Sequence, residues 1–196
     1  YVKWDMNRSI SDWYSTCLPS SRQGEQPHRY ILGLYELLER LITDFPHILF
    51  EGCSGGGGRF DAGMLYYSPQ IWCSDNTDAH ERTFIQYGTS FFYPISTVGS
   101  HVSAVPNHQT GRITSLDTRG IVAMAGSFGY ELDLSTLTEE EKETMKEQVK
   151  KYRQYQLLIH NGDYYRLTNP HNSRIAAWQW NDNTNGNVLV QGVVFR

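Results

Sequence analysis

The sequence lacks several features that mark whole classes of protein. Its three cysteines, Cys17, Cys53 and Cys73, are odd in number and form no Cys-x-x-Cys pair, so they predict neither a zinc ribbon nor a complete disulfide framework. No apolar run approaches the roughly 20 residues of a membrane span, and we expect no secretory signal sequence. A net charge of −4 gives no basic surface for nucleic acid or anionic membranes. These absences favour a globular protein of a reducing compartment, which we expect to be cytoplasmic.

What is present is an alternation of short apolar strands and amphipathic helices. Leucines at 34, 37, 38 and 41 recur with helical spacing and predict a helix from about Tyr30 to Asp44. Thr138, followed by Glu141, predicts a capping box for a long helix that ends near Leu158. Strands are predicted at 1–4, 47–51, 70–73, 95–98 and 128–132, and further helices at 60–65, 78–87 and 115–125.

This pattern amounts to about five βα units over residues 1–160, whereas a closed barrel needs eight. We therefore predict the second part of a (β/α)8 barrel, with the first three units upstream of Tyr1. A doubly wound open sheet is disfavoured because a polar loop follows every strand, as at a barrel's carboxyl-terminal face. After His160, turn sequences such as Asn185-Gly186 separate short β-like runs, and we expect residues 161–196 to begin an antiparallel β domain.

Three clusters carry side chains suited to chemistry. In Lys3-Trp4-Asp5-Met6-Asn7-Arg8, strand alternation puts Lys3 and Asp5 on one face, where an ammonium group favours an ionised carboxylate. An ionised carboxylate is what a glycosidase nucleophile must be. On spacing alone, a structural ion pair at the end of a strand is the favoured interpretation.

The second cluster, residues 53–61, reads Cys-Ser-Gly-Gly-Gly-Gly-Arg-Phe-Asp. Four glycines allow the backbone to approach a ligand closely. A phosphate-binding loop needs Lys followed by Ser or Thr after the glycines, and Arg59-Phe60 stands there instead. The loop therefore suits a neutral polar ligand such as a sugar.

The third cluster, residues 72–78, reads Trp-Cys-Ser-Asp-Asn-Thr-Asp. Asp75 follows an apolar strand, and a carboxyl group that loses water beside Trp72 and Cys73 retains its proton more readily, as a general acid requires. Asp75 and Asp78 could instead cap the helix that follows.

Together the clusters resemble glycoside hydrolase family 36, the α-galactosidases. Gly99-Ser100-His101-Val102-Ser103, the run from Pro106 to Arg112 and Phe128-Gly129-Tyr130-Glu131-Leu132 extend the resemblance over essentially the whole chain. It implies that the chain carries barrel strands four to eight and opens the family's carboxyl-terminal β-sandwich domain.

The resemblance also implies roles for six residues. Asp5 is the expected nucleophile and Asp75 the expected acid/base of a retaining α-galactosidase. Lys3 and Asn7 are expected to contact galactose hydroxyls, while Cys53 and the backbone of Gly55 line the pocket near the 2-hydroxyl. The expected ligands are α-galactoside oligosaccharides of the melibiose and raffinose type, without cofactor or metal. A homo-oligomer, a tetramer by the same resemblance, is also expected.

Other functions remain open at this point. A galactosyltransferase of the raffinose-synthase type would use the same double displacement, and an α-N-acetylgalactosaminidase would use the same scaffold. A non-catalytic sugar-binding relative would lack one carboxylate, whereas Asp5 and Asp75 are both present.

Overall fold

The computed structural model describes residues 1–8 and 10–195 of the chain. Its first part is a parallel sheet whose strands are β1 Val2–Asp5, β2 Phe50–Cys53, β3 Gln70–Trp72, β4 Val98–Ser103 and β5 Ser127–Glu131. The strands pair strictly in chain order. A doubly wound sheet reverses its order at a switch point, so the unbroken order confirms the predicted barrel segment.

Helices connect or follow these strands: α1 Gln26–Asp44, α2 Ala62–Tyr67, α3 Ala79–Thr89, α4 Leu116–Ala123 and α5 Glu139–Asn161. Four of the five begin at a residue whose side chain accepts a hydrogen bond from a first-turn backbone N–H, namely Asp61, Asp78, Ser115 and Thr138. The predicted capping box of Thr138 and Glu141 is present.

Several predicted boundaries are wrong by a few residues. A 3-10 turn at Ser20–Glu25 leads directly into α1, which therefore begins four residues earlier than predicted. The segment Ile95–Thr97, predicted as a strand, is also a 3-10 turn, and β4 follows it. The Thr97 hydroxyl donates to the carbonyl of Pro94 at 2.7 Å, which stabilises the turn over an extended conformation.

The two faces of the parallel sheet differ in chemistry. Val98, Ser100 and Val102 of β4 are almost fully buried, on the face that packs against the helices. The other face, which lines a barrel's interior, carries charged and aromatic side chains such as Lys3, Glu51, Trp72 and His101. The rings of Trp72 and His101 lie 4.7 Å apart, centroid to centroid.

A second, antiparallel sheet contains β6 Asp163–Arg166, β7 Ile175–Asn181 and β8 Val188–Val194. The expected β-rich segment is therefore present. One face of this sheet packs on the helices of the first part, in a shared core that includes Trp180, Trp178, Val122 and Ile159. The predicted boundary at 160/161 falls in the last turn of α5. No helix in the described ranges is both long and apolar enough to cross a membrane.

Candidate active site

The three chemical clusters meet at one edge of the parallel sheet. Asp5 is the last residue of β1, Cys53 is the last residue of β2 and its register partner, and Asp75 follows β3 by three residues. Parallel strands present their carboxyl ends at the same edge, which is where (β/α)8 enzymes build their active sites. Asp5 and Asp75 are both exposed there.

Asn7 links Asp5 to the glycine loop, residues 55–58. Its Nδ2 donates to Asp5 Oδ2 at 3.0 Å, and its Oδ1 accepts from the backbone N–H of Gly55 at 2.6 Å. Ser54 adds a third link by donating from its hydroxyl to the carbonyl of Met6 at 2.7 Å. Asn7 thus orients the Asp5 carboxylate, and Asn7 is itself held by Gly55 in the loop that follows β2.

The same glycine loop lies against the segment that carries Asp75. Gly55 and Gly56 have φ of 54° and 79°, in the left-handed region where glycine has no steric penalty. A Cβ on Gly56 would lie 2.8 Å from Ser74 Cα and 2.9 Å from the backbone nitrogen of Asp75. Glycine at this position therefore lets the two loops touch. Asp5 and Asp75 thus lie at one opening at the carboxyl-terminal edge of the sheet, which we call the mouth.

Cys53 lies beneath this mouth and is 3% exposed. Burial, together with a hydrogen bond to the Asp5 side chain, raises the pKa of the Cys53 thiol to about 11. The thiol is therefore protonated at neutral pH.

Lys3 differs from its expected arrangement. Its ammonium group forms an ion pair with Glu51, with Nζ 3.8 Å from Oε1, and lies 4.3 Å from the centroid of the Trp72 ring. Glu51 is fully buried and also accepts hydrogen bonds from Gln70, at 2.5 Å, and from the Tyr1 hydroxyl. Lys3 thus lies in the layer below Asp5, and its described ion pair is with Glu51.

Sequence reasoning missed Glu51. A signal was available, because a glutamate stands at the end of the apolar run Ile48-Leu49-Phe50. A charged residue within such a strand is almost never fully buried unless it has a partner. The partners, however, come from three different positions and only the fold brings them together.

The apolar surroundings expected for Asp75 are not formed by these residues. Asp75 is exposed, whereas Trp72 is 2% exposed and its ring lies 4.7 Å from that of His101, centroid to centroid. Asp78, for which helix capping was the alternative role, accepts from the backbone of His80 and Glu81 at the start of α3. The capping alternative is confirmed for Asp78.

One group of potential metal ligands lies beside the site. Side-chain donor atoms of Asp78, His80 and Glu81 lie within 4.8 Å of one another. Arg112 Nη1 lies 2.5 Å from Asp78 Oδ1, and the Thr110 hydroxyl donates to the other carboxylate oxygen at 2.5 Å. Both oxygens of Asp78 thus already have partners, and the group acts as a link between α3 and the loop after β4.

Two exposed carboxylates thus lie at one edge of a parallel barrel segment, with a glycine loop between them. The family described as Melibiase matches residues 1–162, and the chain belongs to that family. It is 62% identical over 178 residues to the bifunctional α-galactosidase/sucrose kinase AgaSK of Mediterraneibacter gnavus, and 62% identical over 180 residues to α-galactosidase 1 of Pediococcus pentosaceus.

Solved structures agree with this assignment. The GH36 α-galactosidase AgaA from Geobacillus stearothermophilus superimposes with a TM-score of 0.95 at 57% identity, over 98% of this chain and 27% of that one. The two relatives above are matched over 91% and 92% of this chain, but over only 18% and 25% of their own length. The chain thus spans about a quarter or less of the proteins it resembles.

Proposed function

We propose that the protein carrying this chain is a retaining α-galactosidase, with Asp5 as nucleophile and Asp75 as general acid/base. The observation that carries the proposal is the contact between the two loops. Asn7 orients Asp5 and holds Gly55, while Gly56 touches the backbone of Asp75. In a chain of the Melibiase family, this contact supports pairing the two exposed carboxylates in one reaction.

A feature of the AgaA structures supports the same pair. The complexes with raffinose and with stachyose were each obtained from a variant with one aspartate replaced, by asparagine in the first and by alanine in the second. In that enzyme's numbering these aspartates lie 70 positions apart, as do Asp5 and Asp75 here.

The proposed reaction is a double displacement. The Asp75 carboxyl group gives its proton to the glycosidic oxygen as the bond from that oxygen to the anomeric carbon breaks, and a carboxylate oxygen of Asp5 bonds to the carbon from the opposite face. Asp75, now a carboxylate, then takes a proton from water. The water oxygen displaces Asp5, and galactose leaves with the α configuration of the substrate.

The surrounding side chains are proposed to bind the sugar. The exposed Lys3 ammonium and Asn7 amide offer donors to galactose hydroxyls. Cys53 and the backbone of Gly55 lie beside Asp5, where they limit the space near the 2-hydroxyl. A narrow space there disfavours the acetamido group of an N-acetylgalactosaminide.

We propose terminal α-galactosides of the melibiose and raffinose type as substrates, since the AgaA complexes contain raffinose and stachyose. A galactosyltransferase of the raffinose-synthase type would form the same intermediate and pass it to a sugar hydroxyl. The ratio of hydrolysis to transfer, measured with raffinose in the presence of sucrose, separates the two functions, and we expect hydrolysis to dominate.

Chemical rescue tests the two roles separately. In the full-length protein, Asp5→Gly removes the nucleophile, and azide should then attack an activated α-galactoside directly and give β-galactosyl azide. Asp75→Ala still forms the covalent intermediate from an activated substrate, and azide should release it as α-galactosyl azide. Each variant alone should lose at least about a hundredfold in turnover of raffinose, because a positioned acid/base contributes about 10²–10⁴-fold. Product anomers are assigned by NMR.

Asp44→Ala is the matched control, because Asp44 is an exposed aspartate at the end of α1, where the helix leads away from the mouth. It should retain wild-type turnover and form no galactosyl azide. Exchanged anomers between the two test variants would show that the roles of Asp5 and Asp75 are reversed. Full activity in either variant would exclude that residue from the reaction.

A further inference from the structure

Arg82 is a buried arginine that the reaction described above does not use. It lies in the first turn of α3 and is only 2% exposed. Burying a guanidinium group is costly unless its donors find partners. The partners of Arg82 therefore indicate what keeps a positive charge in this position.

Those partners surround Asp75. Arg82 Nε donates to the carbonyl of Asn76 at 2.8 Å, and Nη2 donates to the carbonyl of Ser74 at 2.8 Å. These are the residues immediately before and after Asp75. Two bonds from one planar group thus hold the carbonyls of the residues on either side of Asp75.

The remaining contacts hold the guanidinium itself. Nη1 lies 3.0 Å from Cys73 Sγ and 3.2 Å from the carbonyl of Gly99, and Cζ lies 4.3 Å from the centroid of the Trp72 ring. Burial lowers the pKa of Arg82, and the nearby acidic side chains, Asp75 among them, act in the opposite direction. Arg82 is therefore anchored to β3, to β4 and to the loop between β3 and α3 at the same time.

We propose that Arg82 is a positioning residue that sets the direction of the Asp75 carboxyl group towards the glycosidic oxygen. This rests on the proposed role of Asp75 as acid/base. In the described part of the chain, no side-chain hydrogen bond fixes the Asp75 carboxyl group, so its placement depends on its backbone. A planar fork can hold two carbonyls in fixed directions, whereas a lysine ammonium is a single point charge on a flexible stem.

The test is the Arg82→Lys variant of the full-length protein, assayed with a poor and a good leaving group. Raffinose needs a proton on its departing oxygen, whereas 2,4-dinitrophenyl α-galactoside departs with little protonation. Misplacing a catalytic group by about 1 Å can cost on the order of a hundredfold. We expect kcat/KM to fall by about 10–100-fold for raffinose and by less than about threefold for the dinitrophenyl substrate.

The second half-reaction gives an independent readout. With the dinitrophenyl substrate, a misplaced Asp75 should slow hydrolysis of the intermediate, and azide, which needs no general base, should restore kcat and yield α-galactosyl azide. A purely structural role for Arg82 predicts neither azide acceleration nor this product.

Arg119→Lys is the matched control. Arg119 is also buried and also holds a loop through two carbonyls, those of Thr114 and Ser103 at 3.0 and 2.6 Å, but neither flanks Asp75. The Arg119→Lys variant should lower kcat/KM for both substrates by the same factor. Rates are divided by the number of active sites, counted from the burst of dinitrophenolate, so that misfolded protein does not contribute. Where Arg82→Lys folds poorly, Arg82→Gln gives the same comparison.

The outcomes separate the two proposals. Failure of the wild-type protein to hydrolyse either substrate contradicts the proposed function. A wild-type protein that is active, combined with an equal loss for both substrates in the Arg82 variants, overturns the positioning role and leaves the α-galactosidase assignment intact.

Discussion

Asp5 and Asp75 are both exposed, and their hydrogen-bond partners distinguish them. Asp5 accepts a hydrogen bond from the Asn7 amide. Asn7 is itself held by the backbone N–H of Gly55, so the direction of the Asp5 carboxylate is fixed from the next loop. Within residues 1–8 and 10–195, the Asp75 carboxyl group has no side-chain hydrogen bond, and Arg82 holds the carbonyls of its two neighbours. The two side chains are thus held in different ways, which fits the different roles that we propose for them.

His101 provides a pH prediction at the same scale. Burial lowers the pKa of His101 below its ordinary value of about 6.5, while Glu51 and Glu131 raise it and Lys3 and Arg82 lower it. The fold therefore favours the neutral ring, and the unfolded chain binds the extra proton. Stability should be fully present above about pH 6.5 and should fall as the pH drops through that value.

His101→Phe keeps a ring beside Trp72 and removes the titration. The denaturation midpoint in urea should therefore depend less on pH between about 7.5 and 5.5 than in the wild-type protein. His108→Phe, at an exposed loop position, should leave the pH dependence as it is. An unchanged slope in His101→Phe would show that His101 titrates alike in the folded and unfolded chain.

Each of the three sequence motifs is a run of consecutive residues. The sequence alone could therefore point to Asp5, the glycine loop and Asp75 as candidates. The motifs did not predict Glu51 as the partner of Lys3 or Arg82 as the support of Asp75. Lys3 and Glu51 are 48 positions apart and meet only because β1 and β2 pair in that register. The contacts of Arg82 could not be predicted for another reason. An arginine near the start of a helix is ordinarily solvated, and only the fold shows that this one is buried.

At the scale of elements, local signals predicted the helices better than the strands. Asp78, Ser115 and Thr138 act as helix caps within single turns, so their positions follow from sequence. Strand limits depend on pairing with neighbours. β2 begins at Phe50 and not at His47 because Phe50 is where pairing with Val2 starts. The apolar residues at 48 and 49 precede the sheet.

The capping box of α5 gives a prediction for an element. Thr138→Ala removes the hydroxyl that accepts from the Glu141 N–H, and should cost about 1 kcal/mol. Hydrogen exchange of the first turn of α5 should accelerate accordingly. Thr144→Ala is the matched control, because this threonine lies inside α5, where alanine is the better helix former. Equal exchange in both variants would show that the box contributes no stability.

At the scale of the whole molecule, the two sheets share one core but each leaves surface uncovered. The face of the antiparallel sheet opposite that core carries Ile175, Val188, Val190 and Val194, which are 45%, 57%, 57% and 68% exposed. Within residues 1–8 and 10–195, one edge of β1 and one edge of β5 have no paired strand. Unpaired edges and contiguous apolar surface are where chains associate with one another.

These surfaces predict how the segment behaves by itself. Residues 1–196, expressed alone, should aggregate or lack activity on nitrophenyl α-galactoside, because five strands cannot close a barrel that needs eight. An open barrel also leaves the sugar held from one side, and poor orientation of the anomeric carbon slows the chemistry. The full-length protein, purified in parallel, should be monodisperse by size-exclusion chromatography and active. A segment that unfolds in a single cooperative transition and hydrolyses the substrate would show that these five βα units and the second sheet form a complete catalytic domain.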